Sequence, residues 1–405
     1  KQTISTNLSI GETKFTGGIT AHNSQIAIGD QAVVTLNGAT FLDNTPISID
    51  KGAKVIAQNS MFTTKGIDIS GELTMMGIPE QNSKTVTPGL HYAADGFRLS
   101  GGNANFIARN MASVTGNIYA DDAATITLGQ PETETPTISS AYQAWAETLL
   151  YGFDTAYRGA ITAPKATVSM NNAIWHLNSQ SSINRLETKD SMVRFTGDNG
   201  KFTTLTVNNL TIDDSAFVLR ANLAQADQLV VNKSLSGKNN LLLVDFIEKN
   251  GNSNGLNIDL VSAPKGTAVD VFKATTRSIG FSDVTPVIEQ KNDTDKATWT
   301  LIGYKSVANA DAAKKATLLM SGGYKAFLAE VNNLNKRMGD LRDINGESGA
   351  WARIISGTGS AGGGFSDNYT HVQVGADNKH ELDGLDLFTG VTMTYTDSHA
   401  GSDAF

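Results

Sequence analysis

Short stretches of alternating apolar and polar residues return at a regular interval near the start of the chain. Ile26-Ala-Ile28 recurs as Ile47-Ser-Ile49 and again as Ile67-Asp-Ile69, at steps of 21 and 20 residues. Ala32, Val34 and Phe41 reappear in the same register as Ala53, Val55 and Phe62, and a third copy fades at Leu73 and Met75. Alternation within each copy is the period of a half-buried strand. A repeat of about 20 residues built from such strands marks the coil of a β-solenoid, and the Leu/Asn pattern of leucine-rich repeats is missing. The pattern predicts a parallel β-helix.

After Pro131 the texture changes. A polar stretch over 133–139 leads to Ser140-Ala-Tyr-Gln143, which matches a helix capping box, and Tyr142, Trp145, Ala146, Leu149 and Leu150 follow at helical spacing. This predicts a short helical insertion near 136–157, either an aromatic-anchored loop covering one or two coils or an exposed aromatic knob for a partner. Strand patterns resume from Ile161, at 173–177, 192–195, 205–210, 217–219, 228–231, 241–246, 256–261, 269–272 and 299–302. Those beyond 200 are longer and richer in Leu, Val and Phe. A solenoid must cover its ends, where core and unpaired backbone are otherwise open, so 200–305 is expected to act as a stiff terminal cap.

Between Ala308 and Ile344 the period is helical: Phe327, Val331, Leu334, Met338 and Leu341 step by 4, 3, 4 and 3. A helix over 324–344 would be roughly 30 Å long, close to the thickness of a bilayer core. The last sixty residues alternate again. Thr370, Val372, Val374 and Ala376 precede a polar turn over 377–384, and Leu387, Thr389, Val391, Met393 and Tyr395 follow it, with a weaker segment over 350–357. Segments of about 10 residues with one apolar face fit either outer-membrane barrel strands or an antiparallel sheet in water. Three strands cannot close a barrel, so on the first reading the sequence stops inside it.

Composition sharpens this picture in three places. Among 405 residues there are 39 Gly and only 8 Pro, as expected for many strands joined by tight turns. The formal charge of -8, with no dense Lys/Arg patch, argues against a nucleic-acid partner. The chain has no cysteine, which excludes disulfides, thiolate metal sites and cysteine catalysis. It opens with Lys1 rather than Met, so a missing signal peptide carries no meaning.

Motifs that tempt a catalytic reading fail on context. Gly251-Asn-Ser-Asn-Gly255 matches the G-x-S-x-G elbow, but it lies before a strand pattern rather than a helix. His380-Glu381 begins like a zincin motif, yet position 384 is Gly. The six histidines stand apart from one another at no ligand spacing, and His176 reads as an outward-facing strand residue. A polysaccharide lyase of the β-helix type needs acidic clusters on one face; the adjacent pairs Asp121-Asp122 and Asp213-Asp214 both sit in apparent turns. No metal and no cofactor is expected.

Three segments near the C-terminus carry a family resemblance. Residues 330–346 (EVNNLNKRMGDLRDING), Gly349-Ala-Trp-Ala-Arg353 and 364–375 (GFSDNYTHVQVG) resemble the junction and opening barrel strands of the serine protease autotransporters of enteric bacteria. Asn171–Leu177 and Leu205–Leu210 look closest to the haemoglobin-degrading branch of that group. The resemblance implies an all-β fold, a right-handed parallel β-helix with an autochaperone cap, then an α-helical linker and the first strands of a truncated outer-membrane barrel. It divides the chain into a stalk over 1–199, an autochaperone over 200–305, a linker over 306–345 and a barrel start over 346–405. It implies self-cleavage between Asn332, whose side-chain amide attacks its own carbonyl, and Asn333, which becomes a new N-terminus. The implied partners are the outer membrane, its barrel-assembly machinery, periplasmic chaperones and host proteins cut by the parent enzyme. The passenger is implied to be secreted or displayed, with the barrel in the outer membrane. That family's Gly-Asp-Ser-Gly motif is absent; Gly197-Asp-Asn-Gly200 lacks the serine. Peptidase activity is therefore expected upstream of Lys1, and an adhesin passenger without a protease is the rival reading.

Overall fold

The computed structural model describes residues 2–4, 8–10, 14–17, 19–22, 25–42, 45–62, 66–80, 85–198, 200–248, 253–279, 282–308, 349–361, 365–382 and 385–401. The chain divides into two units, one formed by Lys1–Ile279 with Val284–Ser306, the other by Gly280–Asp283 with Val307–Phe405.

The first unit is a stack of parallel strands. Ile26 lies beside Ile47, Ile47 beside Ile67, Ile67 beside Phe97, Phe97 beside Ile118, and Ile118 beside Ile161. A second column runs Val34, Val55, Leu73, Phe106, Ile126, Val168, Leu186, Leu210 and Leu235. A third runs His91, Val114, Tyr157, Trp175, Val193, Phe217 and Leu242. All three are buried and, His91 apart, belong to one continuous apolar core. Strands of these columns are therefore parallel and one coil apart, as the repeat predicts. The repeat does not end at Leu73, as the sequence suggests; insertions stretch the step to 30 residues at Phe97 and 43 at Ile161.

Turns between coils use a recurrent device. Asn172, Asp190, Asp214 and Asn239 adopt the left-handed conformation, with φ of 51, 47, 48 and 58°. Asn and Asp enter this region at least cost among residues with a side chain. The next residues, Ala173, Ser191, Ser215 and Asn240, form an internal column. The Ala173 amide donates to Ser191 Oγ, the Ser191 amide to Ser215 Oγ and the Ser215 amide to Asn240 Oδ1, at 3.0–3.2 Å. Buried turn amides are thus satisfied by the coil below.

The insertion is helical, but it starts later than the capping box suggests. Ser140–Tyr142 is a 3₁₀ turn without a side-chain cap, and the α-helix is Gln143–Leu150. Ala146 and Leu150 are buried, whereas Tyr142 and Trp145 stay exposed with their rings edge-to-face at 6.1 Å. Residues 269–271 are likewise a 3₁₀ turn rather than a strand, which leaves Val269 exposed.

His91 occupies a core position. Its Nε2–H donates to the Met76 carbonyl (2.9 Å), and its Nδ1 accepts from the Ser60 hydroxyl (2.8 Å). Burial pulls its pKa down to about 4 from the ordinary 6.5, despite the opposing backbone bond. The unfolded chain therefore binds this proton more readily. Its contribution to stability is complete above pH 6.5 and is lost as pH falls to 4, a difference of about 3 kcal/mol. Denaturant midpoints measured between pH 7.5 and 4.5 should show His91→Gln with a shallower loss than the unsubstituted chain; equal slopes would refute this.

The second unit carries three long antiparallel strands, Gly349–Ala361, Phe365–Leu382 and Leu385–Gly401. They exceed the expected ten residues, because 377–382 continues the ladder up to the Leu382–Leu385 pair instead of forming a polar turn. Only Asp383-Gly384 separates the last two strands. Ile354 stands beside Val372 and Val372 beside Tyr395; Ala352 stands beside Val374 and Val374 beside Met393. Ile354, Met393 and Tyr395 are 74, 75 and 69% exposed. The intervening row is Arg353, Gln373 and Thr394.

Candidate functional site

Residues 309–345 of the expected linker, with its Asn332-Asn333 pair, lie outside the described residues, while 306–308 belong to the strand Lys296–Ala308 rather than to a helix. What the structure does define is the C-terminal end of the solenoid, where sequence reasoning places the cap. Strand Ser253–Pro264 pairs in parallel with Gln228–Lys238 through Leu229–Val261, and antiparallel with Lys296–Ala308 through Val261–Trp299 and Ile258–Leu301. An antiparallel strand reverses the chain direction, so it cannot seed another identical coil, and it satisfies the ladder that parallel stacking leaves open. Aromatic rings fill the end. Phe217 meets Phe272 edge-on at 6.0 Å, Phe272 meets Trp299 at 5.7 Å, and Phe246 meets Tyr304 at 4.6 Å. Tyr304 and Phe217 are fully buried.

One charged pair sits inside this region and was not foreseen. Arg220 and Asp227 are 6% and 0% exposed. Arg220 Nε donates to Asp227 Oδ2 and Nη2 to Oδ1, both at 2.9 Å. Its remaining donors reach the carbonyls of Gly197 (2.6 Å), Asp198 (3.0 Å) and Lys201 (2.8 Å). Asp227 also accepts from the backbone amides of Thr203 (2.8 Å) and Arg220 (2.9 Å). The pair pins the 196–203 connection and the 222–227 turn to a single point. Every strand residue from Ala216 to Ala221 is buried, on both faces. A lone Arg in an otherwise apolar strand was the available signal, and its partner lies seven residues on, beyond a turn closed by Asn222 Oδ1.

Ser253 opens the strand Ser253–Pro264, so no elbow forms there. The paired acids serve turns: Asp122 accepts from the Ala123 amide, Asp121 from the Gly101 amide, Asp213 from the Lys238 amide and Asp214 from the Asn239 side chain. Among the described residues, no group of three or more His, Asp or Glu is placed to hold a metal ion. His176 lies on the outer side of its strand, alternating with the core residues Trp175 and Leu177, yet it is buried because Tyr151 at the end of the insertion's helix covers it.

Comparison with known proteins agrees with the sequence resemblance. The Pertactin family matches residues 183–283. The whole chain is 61% identical over 406 residues to the serine protease Pet autotransporter of enteroaggregative Escherichia coli, and 52% identical over 408 residues to the serine protease EspP of Escherichia coli. It spans 31% of the length of each. The crystal structure of the passenger domain of plasmid encoded toxin, an autotransporter enterotoxin from enteroaggregative Escherichia coli, superposes with a TM-score of 0.66 at 45% identity, over 74% of this chain and 32% of that one. A parallel-stranded stack that superposes on an autotransporter passenger, joined to a C-terminal part that aligns with the same proteins to its end, places this chain in the serine protease autotransporter family.

Proposed function

We propose that the chain is the C-terminal part of an exported passenger together with the start of its membrane translocator. The solenoid over 1–199 is a stalk that displays a protease domain preceding it in the parent protein. Residues 200–305 are the autochaperone, which folds first at the cell surface and templates the remaining coils. Stacking coils on a stable end releases folding free energy step by step, which biases export without ATP. The observation that carries this reading is the alignment of the entire chain, both units included, with Pet. The antiparallel closure and aromatic cluster at the solenoid end support the autochaperone role.

The three-stranded sheet supports a barrel start. The exposed Ile354, Val374, Met393 and Tyr395 share one face of the ladder and suit a lipid-facing band, and the alternate row of Arg353, Gln373 and Thr394 suits a polar lumen. The passenger is secreted or surface-displayed and the barrel lies in the outer membrane, inserted by the barrel-assembly machinery after passage with periplasmic chaperones. Host proteins are the substrates of the upstream enzyme. The relatives are named as proteases, which favours this reading over an adhesin.

Release follows by cyclisation in the linker. The Asn332 amide nitrogen attacks the Asn332 carbonyl carbon, forming a succinimide; the peptide bond to Asn333 breaks, and Asn333 leaves as a free amine. Such a step needs orientation and water exclusion rather than a nucleophilic enzyme residue. The intact gene should yield a membrane-retained piece whose N-terminus is Asn333, and Asn332→Ala should leave the chain uncut. A different N-terminus, or cleavage in the Ala variant, would overturn the assignment.

A further inference from the structure

We infer that the insertion over 130–154 is a lid on the solenoid whose tip is released when His176 gains a proton. The inference rests on how the two ends of the insertion are held. Its base is fixed where the chain leaves and rejoins the coil. Gln130 Nε2 donates to Asn110 Oδ1 (2.7 Å) and Asp154 Oδ1 (3.2 Å), while Asp154 Oδ2 accepts from the Asn110 amide (3.1 Å) and the Thr155 hydroxyl (2.9 Å). Asn110 and Met111 are both left-handed (φ 54 and 62°), a backbone turn whose amides cradle the Asp154 carboxylate.

The tip is held differently. Tyr151, which ends the helix in a left-handed conformation, lays its ring against the His176 imidazole at 4.9 Å between centroids. Arg158 packs over the same Tyr151 ring at 5.7 Å and donates to the Leu149 carbonyl at 3.1 Å. Leu150 completes an apolar seat with Met111, Ala156 and Ile174. His176 is 6% exposed, and its Nε2 is buried with no hydrogen-bond partner. A neutral imidazole tolerates that position; an imidazolium there has a donor and nowhere to direct it.

The charged and titratable groups around His176 make the effect one-sided. In the ladder Arg158 and Arg194 flank it from the strands Thr155–Arg158 and Met192–Phe195, Tyr151 covers it from the helix end, and Asp245 is engaged by Arg194 at 3.1 Å. A third cation between two guanidiniums is unfavourable, and opening the tip gives it water. Burial first, then these two arginines, lower the His176 pKa to about 4. With an open-state value of 6.5, opening gains about 20-fold between pH 7 and pH 5. Asp154 works the other way, since burial raises its pKa and protonation relieves the buried carboxylate. Acid therefore loosens the tip while the base stays anchored.

Hydrogen exchange of the full chain at pH 7 and pH 5, corrected for intrinsic rates, tests this. The amides of 147–151 should lose protection by up to about 20-fold at pH 5, while strands Thr125–Gly129 and Ile161–Asn171 keep theirs, and His176→Gln should abolish the rise. No rise at 147–151, a rise spread evenly along the coils, or an equal rise in His176→Gln would overturn the inference. Should His176→Gln not fold, Tyr151→Ala is expected to show low protection at both pH values; unchanged pH-dependent protection in that variant would be equally fatal.

Discussion

Phe217→Asp should nearly abolish passenger release, whereas Ile28→Asp should reduce it far less. Both side chains are fully buried on the core columns, so the local insult is the same in kind: lost apolar contact plus a carboxylate without a partner. Each substitution is expected to cost on the order of 5 kcal/mol, from the Phe- or Ile-sized cavity and the stranded charge together. Their places in the stack differ. Phe217 touches Phe272, which touches Trp299, so its loss disorganises the end on which other coils are stacked. Ile28 lies near the start of the chain, in register between Ile10 and Ile49 of the neighbouring coils. If coils fold in order from the C-terminal end, damage at Phe217 stops every later step and damage at Ile28 stops few. Passenger in culture supernatant, quantified against the intact gene product, decides the matter; equal losses would sink the template mechanism.

Removing one member of the buried Arg220–Asp227 pair should be nearly as damaging. Arg220→Ala leaves the Asp227 carboxylate fully buried with only backbone amides, and frees the carbonyls of Gly197, Asp198 and Lys201. Asp227→Ala strands a guanidinium that is 6% exposed. Either single change is expected to cost about 3–5 kcal/mol, the usual consequence of leaving one buried charge unpaired. Arg220→Lys should recover little, because one ammonium cannot meet the two-point contact with Asp227 and three carbonyls together. Guanidinium-induced unfolding should show the shift in midpoint. If the double change Arg220→Met with Asp227→Leu proves less harmful than either Ala variant, uncompensated charge rather than lost attraction is the cause; if both Ala variants are neutral, the clamp is not structural.

The parallel solenoid was legible in the chain because three early coils follow one another without interruption. Ile26, Ile47 and Ile67 fall one above another in space at the same step at which they fall in sequence. Beyond Leu73 the columns continue while the period does not, because a coil fixes where a strand must land and leaves free how much chain leads to it. Loop closure cost grows only slowly with length, so insertions such as 130–154 are tolerated. Burial of Ile174 and His176 was illegible for the same reason: alternation aims them outward, and only the docked insertion covers them.

Strand period, turn residues and the absence of thiol chemistry are local properties, set by which side chain follows which, and the sequence alone determined them. Tertiary structure decided the rest. It paired Arg220 with Asp227 across a turn, placed an antiparallel strand against the last parallel one, and put an imidazole whose Nε2 has no hydrogen-bond partner beneath Tyr151. Each of these depends on residues brought together through space, where burial multiplies the cost of an unmet charge or donor. A linear pattern records spacing along the chain and carries no measure of that burial.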